Sequence, residues 1–420
     1  MSLHGRYAIV FVLIIALVIR AAAYAADLKP GYVSGLTAYQ AEMARNIVRH
    51  GKWFVVNEEA LGAFQYQQGT QGHYIDPQDF DYSEFDRDAT YKPEILEVPG
   101  LALVLSGLWW ATGNERYSYV QWLQVIVDTG MVLLVYWIGL QLTQRRRVAF
   151  AAATLYALWP GAILLAKTPS LDSWAAFFVI SGLALFLWAR ESSFRWAKLA
   201  LLGVLIGVGM YFRPFLILVP IALAVADARR TTLRRTLESA LVPTLVALVI
   251  IVPWTVRNAV EFHRFIPMRV GIGQALWEGL GERPNDFGAV NDDTAATEWA
   301  LARRPDLEPS TPAFDDFLLR EALAAIVHHP LHYVELVLRR ALFLLPCLLF
   351  FAWRRLGENR APLVAVALAV ILPYVFIRME DRFWLTAAFA YLILLTMSVA
   401  GALSRYRGTK LPASSRPKTV

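Results

Sequence analysis

The sequence predicts an all-α polytopic membrane protein. It reads as about 10 transmembrane helices (8–12), with two large outward-facing loops that carry juxtamembrane helices. Three observations predict this. The chain is 57% hydrophobic with a mean hydropathy of +0.44, above the roughly 45–50% apolar content of a soluble globule. Several apolar runs approach the ~20 residues that cross a bilayer. Lys and Arg gather in short segments while the long loops are acidic, the asymmetry that orients membrane proteins.

The elements follow in order. Met1–Ala26 has a short basic start and a long apolar run ending Ala-Ala-Ala-Tyr-Ala-Ala. The run exceeds the ~7–15 residues of a signal-peptide core, so a retained first span is expected at 7–26. Further spans are read near 119–142, 148–166, 172–189, 198–212, 214–227, 237–255, 333–352, 361–377 and 383–403. Leu101–Ala111 is apolar but short and follows Pro99-Gly100. Laid along the interface, it leaves every strongly basic short segment on one side: Arg145–Arg147, Arg190–Lys198, Arg229–Arg235, Arg354–Arg360 and the tail from Arg405. Both termini are then expected in the cytoplasm. A single membrane domain covers 1–404, followed by a polar cytoplasmic tail at 405–420.

Two long segments face outward, 27–97 and 256–331. The first carries 12 acidic against 6 basic residues and the second 12 against 7. Loops of this length are more than turns, so polar chemistry is expected outside. The net charge of +6 comes from the short inner segments and the tail and carries no nucleic-acid signal. Cys347, the sole cysteine, leaves no disulfide framework.

Between Trp196 and Arg235, two apolar stretches, Leu199–Phe212 and Phe215–Ala226, meet at Arg213-Pro214. Each is short for a span, which predicts two helices joined at an arginine below the outer surface. A guanidinium there is costly unless it faces water, a carboxylate or a phosphate. Asp172 opens the fourth span, either as a charge suited to a helix N-terminus or as a paired group at a site. Asp128 lies mid-span, with no cation nearby in sequence, and is expected to pack protonated or hydrogen-bonded. The acidic run Asp76, Asp79, Asp81, Glu84, Asp86 and Asp88 is mostly solvated loop. Asp86 and Asp88 stand out because Lys92 follows just before the interface helix, pairing a base with a phosphate contact. Arg257, Arg378 and Arg382 stand near outer ends of spans, where an arginine fork suits a phosphate or an ordinary lipid headgroup. The sequence contains no Walker loop, HExxH or GxSxG, and the seven histidines show no ligand spacing.

This layout resembles the GT-C superfamily of integral-membrane glycosyltransferases, nearest the protein O-mannosyltransferases and bacterial aminoarabinose transferases. The resemblance rests on Tyr39–Gly51, Lys92-Pro93, the stretch from Trp159-Pro160 to Asp172, and Phe212-Arg213-Pro214. It continues through Pro253–Asn258, Gly273–Gly279 with Trp277-Glu278, His329-Pro330 and Asp381-Arg382-Phe383. One departure stands out. Where the family carries an acidic residue ahead of the first-loop helix, this chain reads Gly35-Leu36-Thr37.

The resemblance implies sugar transfer from a polyprenyl-phosphate-linked donor to a lipid, glycan or protein acceptor, with inversion, at the outer face of a bacterial-type inner membrane. It implies Lys92, Arg213, Arg257 and Arg382 on the donor phosphate and Asp172 beside the reacting centre. One of Glu42, Asp86 or Asp88 would be the base, with Trp277 and Glu278 on the acceptor side. No organic cofactor and no metal ligand set is expected, and a divalent cation is left open. The partners are the carrier lipid, the acceptor and the bilayer, with no nucleic acid. Leu36 supports a rival reading: a non-catalytic polyprenyl-lipid-binding scaffold or carrier that kept the fold. A secondary transporter would show a second interrupted helix pair matching that at Arg213, and the sequence has none.

Overall fold

The computed structural model describes residues 3–26, 35–87, 89–190, 194–342, 360–379 and 386–409. The chain opens with α1 (Leu3–Ala25), then α2 (Gly35–His50), α3 (Glu58–Gln71) and the short α4 (Ser83–Asp86) of the first loop. Asn57 caps α3 by accepting from the Ala60 amide, and Gly72 ends it in the left-handed conformation. A minimal antiparallel pair, β1 (Val55–Val56) with β2 (Lys92–Pro93), sets Val56 opposite Lys92. α5 (Gly100–Thr112) is the short apolar helix read from the sequence.

The helical bundle continues with α6 (Tyr117–Thr143), α7 (Arg146–Leu158), α8 (Pro160–Lys167), α9 (Leu171–Arg190), α10 (Arg195–Met210), α11 (Leu218–Asp227) and α12 (Leu233–Phe262). The second loop supplies α13 (Ile272–Leu280), α14 (Asp293–Arg303), α15 (Pro312–His328) and α16 (Pro330–Ala341). α17 (Ala361–Phe376) and α18 (Ala388–Thr409) complete the described helices.

Among the described residues, four helices are by themselves long and apolar enough to cross a membrane: α1, α6, α9 and α12. The span expected at 148–166 is two helices, α7 and α8, bent by 52° at Trp159-Pro160. Pro160 has no amide to offer the preceding turn and instead opens α8. The Arg213 break is as expected: α10 stops, a 3₁₀ turn (Pro214–Ile217) follows, and α11 resumes.

Lipid offers little hydrophobic drive between helices, so close approach through small residues matters. At Gly203 and Gly207 of α10, an added Cβ would lie 2.6 Å from Val246 and Ile250 side-chain carbons of α12. One apolar core runs from the spans into the first loop, joining Val132, Phe178 and Leu216 to Ala41, Met43 and Phe64. A second, around Trp277, Phe314 and Leu318, holds the second loop together.

Candidate active site

Arg213 has extended backbone (φ −145°, ψ 108°) at the break, and its side chain lies back among the helices, 7% exposed as a residue. Its Nε and a terminal nitrogen both donate to Oδ1 of Asp172, at 3.0 and 2.5 Å. Asp172 is buried in the first turn of α9, where the helix dipole favours a carboxylate. Phe212 fixes the break against α9 by stacking on Trp174, ring centroids 5.5 Å apart. Around this turn, Ser170 Oγ, Asp172 Oδ2 and Trp174 Nε1 are buried without hydrogen-bond partners among the described residues. Buried polar atoms are normally paired, and a local group of orphans is what a polar ligand satisfies.

The strip Glu94–Gly100 reaches this pair through Glu97 and is tethered by three main-chain bonds. The Glu94 amide donates to Phe54 O, the Val270 amide donates to Ile95 O, and the Gly100 amide donates to Tyr211 O at 2.7 Å. Gly100 is required there, since a methyl would overlap the Tyr211 carbonyl. Gln40 of α2 donates to Val98 O and accepts from the Ala102 amide. Arg257 donates to Glu94 O and Phe54 O, so its guanidinium braces the strip.

This strip buries two carboxylates, Glu94 at 3% and Glu97 at 0% exposure. Arg269 comes within 3.0 Å of Glu97, an ion-pair contact without hydrogen-bond alignment, so neither Glu97 oxygen has a hydrogen-bond partner. Glu97 and Tyr374 are also electrostatic neighbours of Arg213. Burial pushes the Glu94 carboxyl up to about 7, and the charge of Glu97 adds to the rise against the pull of main-chain amides and Arg269. Beside them Tyr39 of α2 is pushed up to about 12 by burial and then by Glu94. The first loop, the second loop and the bundle therefore meet at Tyr39, Glu94, Glu97, Arg269, Arg213 and Asp172.

The other residues singled out in the sequence lie elsewhere. Glu42 and Asp86 share a second cluster inside the first loop. Glu42 accepts from Asn46 and the Asn57 amide and is pushed up by burial, while Arg45 forks onto both oxygens of Asp86. Lys92 bridges Glu58 (2.5 Å) and Glu308, tying the two loops together. Trp277 is buried against Trp299, with ring centroids 4.1 Å apart. Glu278 pairs with Arg378 and accepts from Gln274. Asp88 and Arg382, with Glu380 and Asp381, fall outside the described residues. Among the described residues, no three His, Cys, Asp or Glu side chains converge as metal ligands would.

Residues 94–266 match the family model for dolichyl-phosphate-mannose-protein mannosyltransferase. The whole chain superposes on the oligosaccharyltransferase of Archaeoglobus fulgidus. The apo form is 17% identical, with a TM-score of 0.53 over 99% of this chain and 53% of that one. The same enzyme, AglB, in complex with an inhibitory peptide and a dolichol-phosphate gives 17%, 0.54, 100% and 53%. The chain has the GT-C fold. It spans about half the length of these oligosaccharyltransferases. ArnT from Cupriavidus metallidurans bound to undecaprenyl phosphate aligns at 16% identity and a TM-score of 0.42, over 98% of this chain and 81% of that one. No curated protein matches the sequence.

Within this GT-C frame, Thr37, where the family's first-loop acid is expected, donates its hydroxyl to Pro169 O beside the turn into α9. Sequence reading did not single out Glu94, Glu97 or Arg269, and took Tyr39 only as the start of the Tyr39–Gly51 resemblance. One signal for the carboxylates was present: two glutamates set among Ile95, Leu96 and Val98, immediately ahead of an apolar helix. Arg269 offered none, because its place beside Glu97 is fixed only by the fold.

Proposed function

We propose that this GT-C protein transfers a sugar from a polyprenyl-phosphate carrier to a hydroxyl acceptor at the outer face of a bacterial-type inner membrane. The observation that carries the reading is the buried Arg213–Asp172 pair with Glu97 as its electrostatic neighbour and Glu94 beside Glu97 in the same strip. A deeply placed guanidinium suits a carrier phosphate, and a carboxyl near neutrality suits a base. The PMT family match and the fold of an oligosaccharyltransferase whose structure contains a dolichol-phosphate support the same direction.

In the proposed step, the acceptor oxygen attacks the anomeric carbon from the face opposite the phosphate. The bond from that carbon to the phosphate oxygen breaks, and configuration inverts. Glu94 takes the hydroxyl proton, standing in for the carboxylate missing at Leu36-Thr37. The leaving polyprenyl phosphate is stabilised by Arg213, with Arg382 as a further cation, while Lys92, paired with Glu58 and Glu308, holds the two loops together. Asp172 orients Arg213, and Arg257 holds the strip that carries Glu94. Glu42 and Asp86, paired within the first loop, shape that loop in this reading. Trp277 and Glu278, buried in the second loop, support the acceptor side in this reading.

The test is native mass spectrometry of the protein taken from its own membrane. A retained polyprenyl phosphate, or its glycosylated form, is expected, and retention should fall in Arg213→Lys, which keeps charge but loses the fork. Retention of bulk phospholipid alone, even with added carrier, would overturn the donor site. The missing acid at Leu36-Thr37 favours a second reading, a lipid-binding scaffold. Glu94→Gln separates the two, because a scaffold keeps its cellular function in that variant and a transferase does not.

A further inference from the structure

Beside the charged site, and separate from it, an open cleft of about 660 Å³ lies between the end of α1, the turn after α3 and the start of α6. Its volume falls within the ~300–1,000 Å³ of ligand sites. Three tyrosines line it, Tyr24, Tyr74 and Tyr117, together with three amides, Gln67, Gln71 and Gln121. Asp76 and Asp79 contribute carboxylates, and the buried Lys167 also lines the cleft.

We propose that this cleft is a saccharide-binding site. Amides and phenols each donate and accept, which matches a ligand whose hydroxyls do both. The partly exposed rings of Tyr24 and Tyr74 offer flat apolar faces to the C–H faces of a pyranose while keeping a polar edge, and the buried Tyr117 packs against Tyr74. The opposing charges argue against the alternatives. A phosphate would face two carboxylates, and an apolar peptide side chain would leave the polar half of the wall unpaired.

The composition of α3 points the same way. From Ala60 to Ile75 the chain has no Asp, Glu, Lys or Arg, yet carries glutamines at 65, 67, 68 and 71. Exposed helix faces are ordinarily charged. Here Gln67 and Gln71, four residues apart on one face, both line the cleft. The geometry is also held in place. Tyr74 and Tyr117 meet edge to face with centroids 5.8 Å apart, the Tyr117 amide donates to Asp76, and Gln121 donates to the Lys167 carbonyl. The cleft's lining includes none of Tyr39, Glu94, Glu97, Asp172, Arg213 or Arg269, so the proposal stands independently of the transfer chemistry above.

The experiment uses the full chain in lipid nanodiscs and a panel of neutral disaccharides, mannobiose, chitobiose and cellobiose. Binding is read by saturation-transfer NMR with competition to give a Kd. At least one disaccharide should bind, and Tyr74→Ala and Gln71→Ala should each weaken it by about tenfold or more. Gln71 is exposed at the last turn of α3, so its variant tests binding without threatening the fold. Asp172→Asn should leave that Kd unchanged. The proposal fails if no disaccharide binds the wild type, or if neither cleft variant shifts the Kd. It fails equally if Asp172→Asn abolishes binding, since the sugar would then occupy the charged site.

Discussion

Asp172 takes two nitrogens of Arg213 on one carboxylate oxygen and leaves its other oxygen without a hydrogen-bond partner among the described residues. Both side chains are nearly sealed, 9% and 3% exposed. The pair is thus a charge-compensated unit rather than a fully hydrogen-bonded one, and its function rests on the arginine being held in place. Asp172→Asn keeps the shape and removes the orienting charge. Turnover should fall by about 10²–10³ while the protein stays folded, the scale of losing one preorganised electrostatic contact. Transfer assays beside thermal unfolding check this. Unchanged turnover would remove Asp172 from the site.

Glu94 ties stability and activity to pH in opposite senses. Its carboxyl sits at about 7 in the fold against an ordinary 4.5, so the folded chain holds the proton more tightly than the unfolded one. The stabilising contribution is complete below about pH 4.5 and is lost as pH rises through 7, on the order of 3 kcal/mol in all. The deprotonated base accumulates over that same upper range, so turnover should rise where stability falls. Glu94→Gln should flatten the stability profile and cost ~10²–10⁴ in turnover. A pH series of melting temperatures and rates measures both, and parallel profiles would remove Glu94 as the base.

Gly100 joins the strip that carries the two carboxylates to the break that carries Arg213. Its amide donates to Tyr211 O, and its missing side chain lets the two backbones touch. Gly100→Ala should cost about 1–3 kcal/mol through overpacking. It should also weaken carrier retention by moving the strip off Tyr211, two residues from Arg213. Gly107→Ala, on the same helix with open space around its Cα, should do neither.

The longest spans were legible because long apolar runs need no tertiary information. Those read at 119–142 and 172–189 are Tyr117–Thr143 and Leu171–Arg190. The Arg213 break was legible for the same reason, as a charge and a proline interrupting hydrophobicity. The site was less so. Asp172 and Arg213 were each visible as a misplaced charge, but their pairing across 41 residues was not. Glu42 and Asp86 attracted attention through local charge density, whereas Glu94 and Glu97 sit in an irregular strip without periodicity. Its position depends on main-chain bonds to Phe54, Tyr211 and Val270, which no local pattern encodes.

Asp128 illustrates the same limit. No cation stands near it in sequence, yet Arg20 of α1 donates to its Oδ2 at 2.5 Å, and the Tyr156 hydroxyl donates to its Oδ1 at 2.7 Å. Arg20 is fully buried and also donates to the carbonyls of Ala157 and Ala16. The cluster binds α1 to α6 and α7 in a medium that cannot solvate either charge. Removing one partner strands the other, so Asp128→Leu or Arg20→Met alone should cost about 3–5 kcal/mol. Replacing both with Leu and Met should recover most of that loss, because the desolvation cost of the pair disappears along with its attraction. Melting temperatures of the two single variants and the double variant in one detergent decide this. A double variant no more stable than the singles would mean that the pair supplies more than mutual compensation. Carrier retention should be unchanged throughout, since Arg20 and Asp128 engage one another, Tyr156 and main-chain carbonyls rather than Arg213 or Asp172.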